Sequence, residues 1–422
     1  MSANPIRAYA AVTAAYWAFM LTDGALRMLV LLQFNGLGFS PVALAWLFLL
    51  YEVAGIATNL GAGWLAARFG LAATLYGGLG LQVAALVALA QLDPGWSIPA
   101  SVAFVMAVQG VSGVAKDLAK MSSKSAVKLL APAGDGGLFR WVAALTGSKN
   151  AVKGLGFFLG AALLALAGFK PAIWGMAGLL AAILIAVVAF LPAGLPGRMK
   201  SSEAWGGWRS QDPRVNRLSL ARMFLFGARD VWFVVGIPVY FQAVLSDGTL
   251  EGRREAFFLT GGFMALWIIG YGAVQALAPR LLGAKSQPEA AITARAIRWA
   301  LYLVPIPFAL AVAVFMAGTP APWLTATILV GLMLFGFVFA INSSVHSYLI
   351  LAFGDATRIT RDVGFYYMAN AAGRLIGTLL SGVSYQIGGL ALCLATAGAM
   401  AAASWWAARR LAWPALPVAP GG

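Results

Sequence analysis

Apolar stretches of about twenty residues recur along this chain from end to end, and few folds accept that pattern. Crossing a hydrocarbon core of about 30 Å takes roughly 20 helical residues. In lipid the backbone must satisfy its own hydrogen bonds, so spans are helices or closed barrels. Stretches of this length fit helices, because barrel strands are about half as long. Twelve spans are placed at 9–34, 42–66, 72–91, 97–119, 138–168, 171–191, 218–245, 256–279, 299–317, 322–347, 363–387 and 389–408. Of the 422 residues 61% are hydrophobic and 10% charged, where soluble domains carry about 25% charged residues. The expected class is an all-α membrane protein, multi-pass, whose first span is retained rather than cleaved as a signal peptide.

The connections divide by charge. Those after spans 1, 3, 9 and 11 carry no Lys or Arg, that after span 5 carries Lys170, and that after span 7 carries Arg253 and Arg254 among the acids Asp247, Glu251 and Glu255. The alternate set holds Arg68, Lys124, Lys128, Arg198, Lys200, Arg209, Arg214, Arg217, Arg280, Lys285, Arg295, Arg298, Arg358 and Arg361. Basic loops stay in the cytoplasm, which places both termini there and makes much of the +15 net charge a matter of topology. The longest polar connection, 192–217, separates an N-terminal six-helix bundle, 1–191, from a C-terminal one, 218–422. The halves repeat weakly. Phe19 and Asp23 match Phe226 and Asp230, and Lys153, Gly156 and Leu159 match Arg374, Gly377 and Leu380. Two parallel six-span repeats are the arrangement of the major facilitator fold.

Charges inside the spans are the candidates for function, since each costs roughly 2.5–3.5 kcal/mol at mid-bilayer. Lys149 and Lys153 lie one helical turn apart with Asn150 beside them, and Gly156 and Gly160 continue their face. Asp23 and Arg27 share the same spacing and are able to pair with each other. Arg222 and Arg229 lie on one face of span 7 beside Asp230; Arg222 is near enough to the edge to snorkel, and Arg229 is deeper. Asn370 and Arg374 share a face of span 11. Lys116 and Lys120 begin a ladder that ends in the lipid-anchoring Lys124 and Lys128. Glu52 with Asn59, and His346 with Asn342, are the remaining polar faces, and Glu52, His346, Asp23 and Asp230 are the candidates for a coupling proton. One cysteine and one histidine leave no basis for a metal centre, and no cofactor is expected.

Gly63-Trp64-Leu65-Ala66-Ala67-Arg68-Phe69-Gly70 resembles the major facilitator loop signature, with Ala67 where the family has a gating Asp. Longer stretches, among them Asp23-Gly-Ala-Leu-Arg27, GVAKDLAKMSSKSAVKLL, LFRWVAALTGSKNAVKGLGFFLGAALL and ARDVWFVVGIPVYF, resemble the organoarsenical-efflux branch of that superfamily, the ArsJ type. The resemblance implies export of 1-arseno-3-phosphoglycerate across a bacterial inner membrane. It also implies a glyceraldehyde-3-phosphate dehydrogenase as functional partner, and arsenate resistance as the result. The residues themselves indicate a gradient-driven carrier of a polyanion, and a monomer is expected. The buried inventory of Arg27, Lys149, Lys153, Arg229 and Arg374 exceeds Asp23, Asp230 and Glu52, the reverse of what a carrier of lipophilic cations needs. Carriers of sugar phosphates or of phosphate itself fit the same charges. A membrane-embedded enzyme acting on a lipid phosphate lacks its motifs: there is no HExxH and no phosphate-cradling Gly-Lys-Ser loop.

Overall fold

The computed structural model describes residues 5–130, 137–190, 210–281, 288–353 and 359–412; the side chains of 5–9, 60–69, 71, 124–130, 137–147, 279–281 and 359–361 lie outside that description. Among the described residues every regular element is a helix. They run α1 (Pro5–Gly36), α2 (Pro41–Leu47), α3 (Leu49–Phe69), α4 (Leu71–Ala90), α5 (Ile98–Leu130), α6 (Gly137–Leu166) and α7 (Phe169–Phe190) in the first half. The second half has α8 (Pro213–Val231), α9 (Ile237–Leu245), α10 (Leu250–Leu281), α11 (Glu289–Leu303), α12 (Pro305–Ala317), α13 (Pro322–Phe353) and α14 (Ile359–Arg409).

Eleven of these segments are long and apolar enough to cross a membrane. The last is two spans in one, because α14 runs for 51 residues and breaks at Gly388 and Gly389. Gly389 has φ 58, a conformation that costs any other residue but glycine dearly. Twelve crossings result, three of them made by helix pairs: α2 with α3, α8 with α9, and α11 with α12, where Pro305 removes a backbone donor. Several helices outrun the apolar stretches that announce them. α5 continues to Leu130, α13 to Phe353, and α11 begins at Glu289. α8 begins at Pro213, inside the stretch expected as loop, where Asp212 caps it by accepting from Arg214 N–H. Hydropathy marks only the part of a helix that faces hydrocarbon, and the polar ends continue beyond it.

Within the first half α1 packs on α6 and α4 on α5; within the second, α8 packs on α14. The halves meet along α6 with α10 and along α3 with α14. Small residues make these seams. A Cβ on Gly261 would strike Ala161, and one on Gly272 would strike Asn150, the close-approach packing that membrane helices use. On the side away from the basic loops the halves are shut. Pro41 and Ala45 of α2 press on Gly382 of α14, and Val42 N–H donates to Gln386 Oε1 at 3.2 Å.

The seventh span is interrupted by a π-helical segment, Trp232–Gly236, between α8 and α9. Its Val235 and Gly236 N–H groups both donate to Ser381 Oγ at 3.1 Å. Ser381→Ala leaves two buried donors without that oxygen and is expected to lower stability by about 2 kcal/mol. Thermal unfolding in detergent reads this directly, and an unchanged midpoint would refute it.

Candidate functional site

Glycines determine which charges meet. A Cβ on Gly24 would lie 2.5 Å from the Lys153 carbonyl oxygen, and Cβ atoms on Gly156 and Gly160 would collide with the Leu21 and Ala25 carbonyls. α1 and α6 therefore touch backbone to backbone. That contact delivers Lys153 to Asp23, its Nζ donating to Oδ2 at 2.7 Å. Tyr51 OH donates to the other oxygen at 2.6 Å. The second half repeats the arrangement. Gly373 packs on Met223 and Gly377 on Gly227, and Arg374 Nε reaches Asp230 Oδ2 at 3.4 Å. Arg229 Nε donates to Asp230 Oδ1 at 2.5 Å.

Glu52 joins the halves. Its Oε1 accepts from Arg27 Nη1 at 3.1 Å in its own half, and from Arg374 Nη2 at 2.6 Å across the seam. Both carboxylates that hold Arg374 are about 1% exposed. Nearer the basic loops, Lys120 Nζ donates to Asp117 Oδ1 at 2.8 Å and to Asn59 Oδ1 at 3.0 Å. Lys116 lies 3.8 Å from the same carboxylate and over the Tyr51 ring. A chain of neutral groups crosses the seam at this level. Asn150 Nδ2 donates to Gln275 Oε1 and Gln275 Nε2 to Ser343 Oγ.

These side chains surround a cavity of about 260 Å³ between the halves. Its lining runs from Arg27, Glu52 and Arg374 toward Asn59, Lys149 and Arg222, which lie nearer the basic-loop ends of their helices. Eight cations stand around it: Arg27, Lys116, Lys120, Lys149, Lys153, Arg222, Arg229 and Arg374. Among the described residues the carboxylates are four, Glu52, Asp117 and Asp230 in the wall and Asp23 behind Lys153, which leaves four positive charges in excess. A cavity of this size suits a small molecule, and its charge suits an anion.

The sequence pattern of the Major Facilitator Superfamily matches residues 9–378. The chain belongs to that superfamily. No curated protein matches it. Among solved structures it is similar to a point mutant of the nucleoside transporter NupG, with TM-score 0.73, 13% identity and coverage of 96% of this chain and 100% of that one. NupG without that mutation gives TM-score 0.69, 14% identity and coverage of 96% and 98%. A POT family transporter in complex with a thioalcohol-conjugated peptide gives TM-score 0.70, 14% identity and coverage of 95% of each chain. At these identities the likeness shows the fold alone; that the chain is a multi-pass membrane transporter rests on the superfamily match.

Within that fold the expected site residues fall into three groups. Arg27, Lys116, Lys120, Lys149, Asn150, Lys153, Arg229, Asn370 and Arg374 all line the cavity, as do Glu52 and Asp230. Asp23 reaches it only through Lys153. Asp23 and Arg27, whose spacing would allow them to pair, do not. Asp23 takes Lys153 and Tyr51, and Arg27 takes Glu52, because the α1–α6 and α1–α3 packing brings those partners closer than a side chain one turn along. His346 is not brought to the cavity. It is fully buried on α13 beside Asn342, and neither of its nitrogens has a hydrogen-bond partner among the described residues. Lys124, Lys128 and the Gly63–Phe69 side chains lie outside the described residues.

Sequence reasoning undervalued Arg222. It does not snorkel: it is 5% exposed, faces the cavity, and donates to Asn370 Oδ1 at 2.9 Å. Its sevenfold spacing from Arg229 was the available signal. Tyr51, Gln275 and Ser343 gave none, since an isolated polar residue in a span has no pattern to stand out from.

Proposed function

We propose that this transporter is a secondary active exporter of an anionic ester, 1-arseno-3-phosphoglycerate. The observation that carries the anion reading is the cavity's excess of four positive charges, built from both halves. An acyl arsenate with a phosphate at its other end is a polyanion that such a surface would hold. The ester identity comes from the sequence resemblance quoted above. With it come the bacterial inner membrane and a glyceraldehyde-3-phosphate dehydrogenase that makes the substrate; the loop charges add cytoplasmic termini, and the transport unit is taken as a single chain.

Export proceeds by rocking of the two bundles about the site. The cavity takes the anion from the cytoplasmic side, toward which its lysines and Arg222 extend. The oxyanion competes with Glu52 and Asp230 for Arg374, weakening the bond that ties α3 to α14. Guanidinium groups match phosphate and arsenate oxygens in pairs, which favours this exchange. Release outside lets Glu52 close on Arg374 again. Coupling runs through the carboxylates, either by proton exchange at Asp23, Glu52 or Asp230 or by return of external phosphate.

Everted vesicles test the substrate. Arsenic is expected to accumulate only when arsenate is supplied with the dehydrogenase and its substrates. Accumulation from arsenate alone would remove the ester from consideration. Accumulation of other organic phosphates at equal rates would favour a general phosphate-ester carrier. Collapsing the pH gradient separates proton exchange, which stops, from phosphate exchange, which continues.

A further inference from the structure

Arg222 differs from every other deep arginine in the cavity. Arg27, Arg229 and Arg374 each hold a carboxylate. None of the nine ion pairs among the described residues includes Arg222. Its guanidinium donates only to neutral oxygens, through Nε to Asn370 Oδ1 at 2.9 Å and through Nη1 to Ser343 O at 2.9 Å and Ser343 Oγ at 3.0 Å. The rings of Phe226 and Tyr366 flank it, at 4.1 Å and 5.0 Å. A buried cation without a carboxylate is costly, and proteins seldom keep one without a use. The neutral bonds fix the planar fork in place without cancelling its charge.

We propose that Arg222 and Asn370 form a second anion subsite, shallower than the Arg374 cluster, that holds one oxyanion end of a two-ended ligand. Asn370 precedes Arg374 by one turn of α14, roughly 6 Å along the axis. The two subsites therefore stand about a short carbon chain apart, along one wall of one cavity. The deep subsite exchanges carboxylates for ligand, and the shallow one offers a charge with nothing to displace. A small molecule carrying a phosphate-like group at one end and a second acidic group at the other would engage both. Inorganic phosphate would engage one, the deep subsite, where Arg27, Arg229 and Arg374 converge on two carboxylates and together outweigh the single charge of Arg222. This rests on the anion reading of the cavity and adds to it the shape of the anion.

The test uses the full chain in nanodiscs, with 3-phosphoglycerate and inorganic phosphate as probes and binding followed by calorimetry. The wild type is expected to bind 3-phosphoglycerate at least tenfold more tightly than phosphate. Arg222→Gln should weaken 3-phosphoglycerate at least tenfold and leave phosphate within twofold. Asn370→Asp, nearly isosteric, sets a carboxylate on the guanidinium and should produce the same selective loss. The melting temperature of Arg222→Gln should equal or exceed that of the wild type, because an uncompensated charge is removed. Wild-type binding of 3-phosphoglycerate in either variant would overturn the subsite. Equal weakening of both probes together with a lowered melting temperature would also overturn it, making Arg222 a structural cation. If the wild type binds neither probe, the anion reading itself fails and the subsite with it.

Discussion

An Arg374→Ala variant is expected to reach the membrane and lose transport by at least about 100-fold, equivalent to about 2.8 kcal/mol. Arg374 is the one described residue that holds a carboxylate from each half, Glu52 at 2.6 Å and Asp230 at 3.4 Å. Breaking a buried ion pair typically costs about 3–5 kcal/mol of stability, because a charge is left behind. Here the loss should fall at the low end, since Glu52 keeps Arg27 and Asp230 keeps Arg229. Stability and transport can be separated. Arg374→Lys keeps a cation between Glu52 and Asp230 and should recover thermal stability without recovering full transport, because an ammonium cannot grip an oxyanion in two places as a guanidinium does. Initial uptake rates in everted vesicles, normalised to membrane-inserted protein, measure the effect. Transport within threefold of the wild type would exclude Arg374 from the site.

The second large effect is on packing. Gly156→Leu should destabilise the chain by about 3 kcal/mol or more and remove most of it from the membrane fraction. A Cβ there already collides with the Leu21 carbonyl and sits 3.1 Å from Gly24 Cα. Neither is a flexible side chain that could swing away, so α1 and α6 must separate. Separation pulls Lys153 from Asp23 and leaves a buried carboxylate with only the Tyr51 hydroxyl. Gly175→Leu is the control, because nothing lies within 4 Å of a Cβ at that exposed position on α7. Fluorescence-detected gel filtration of the two variants should show a monodisperse Gly175→Leu peak and little or none for Gly156→Leu. Equal yields would refute the close-packing account.

The two predictions differ in what the sequence could supply for them. Gly156 follows Lys153 by three residues, and a face of lysines and glycines inside a span could only be turned toward another helix. That much was visible from periodicity. The partner was not: nothing in the spacing of Asp23 and Arg27 says that each would leave the other for α6 and α3. The pairing of Lys153 with Arg374 as repeat mates was legible from matching offsets, and the structure gives each its own half's aspartate, Asp23 and Asp230. Glu52 has no counterpart in that symmetry. Its tie to Arg374 joins residues 322 positions apart in the chain, and no local pattern encodes such a contact. Arg222 and His346 show the same limit from opposite sides. One looked peripheral and faces the cavity; the other looked functional and lies buried away from it.

The sequence by itself determined the number of spans, the internal repeat and the sign of the buried charge. Each follows from one-dimensional quantities: the length of apolar runs set by bilayer thickness, offsets between halves, and a count of charges that hydrocarbon would otherwise exclude. Only the tertiary structure decided which arginines around the cavity hold a carboxylate and that Arg222, among the described residues, holds none. That outcome depends on distances of a few ångströms between helices brought together by glycine contacts, and electrostatic energy inside a protein changes steeply over such distances.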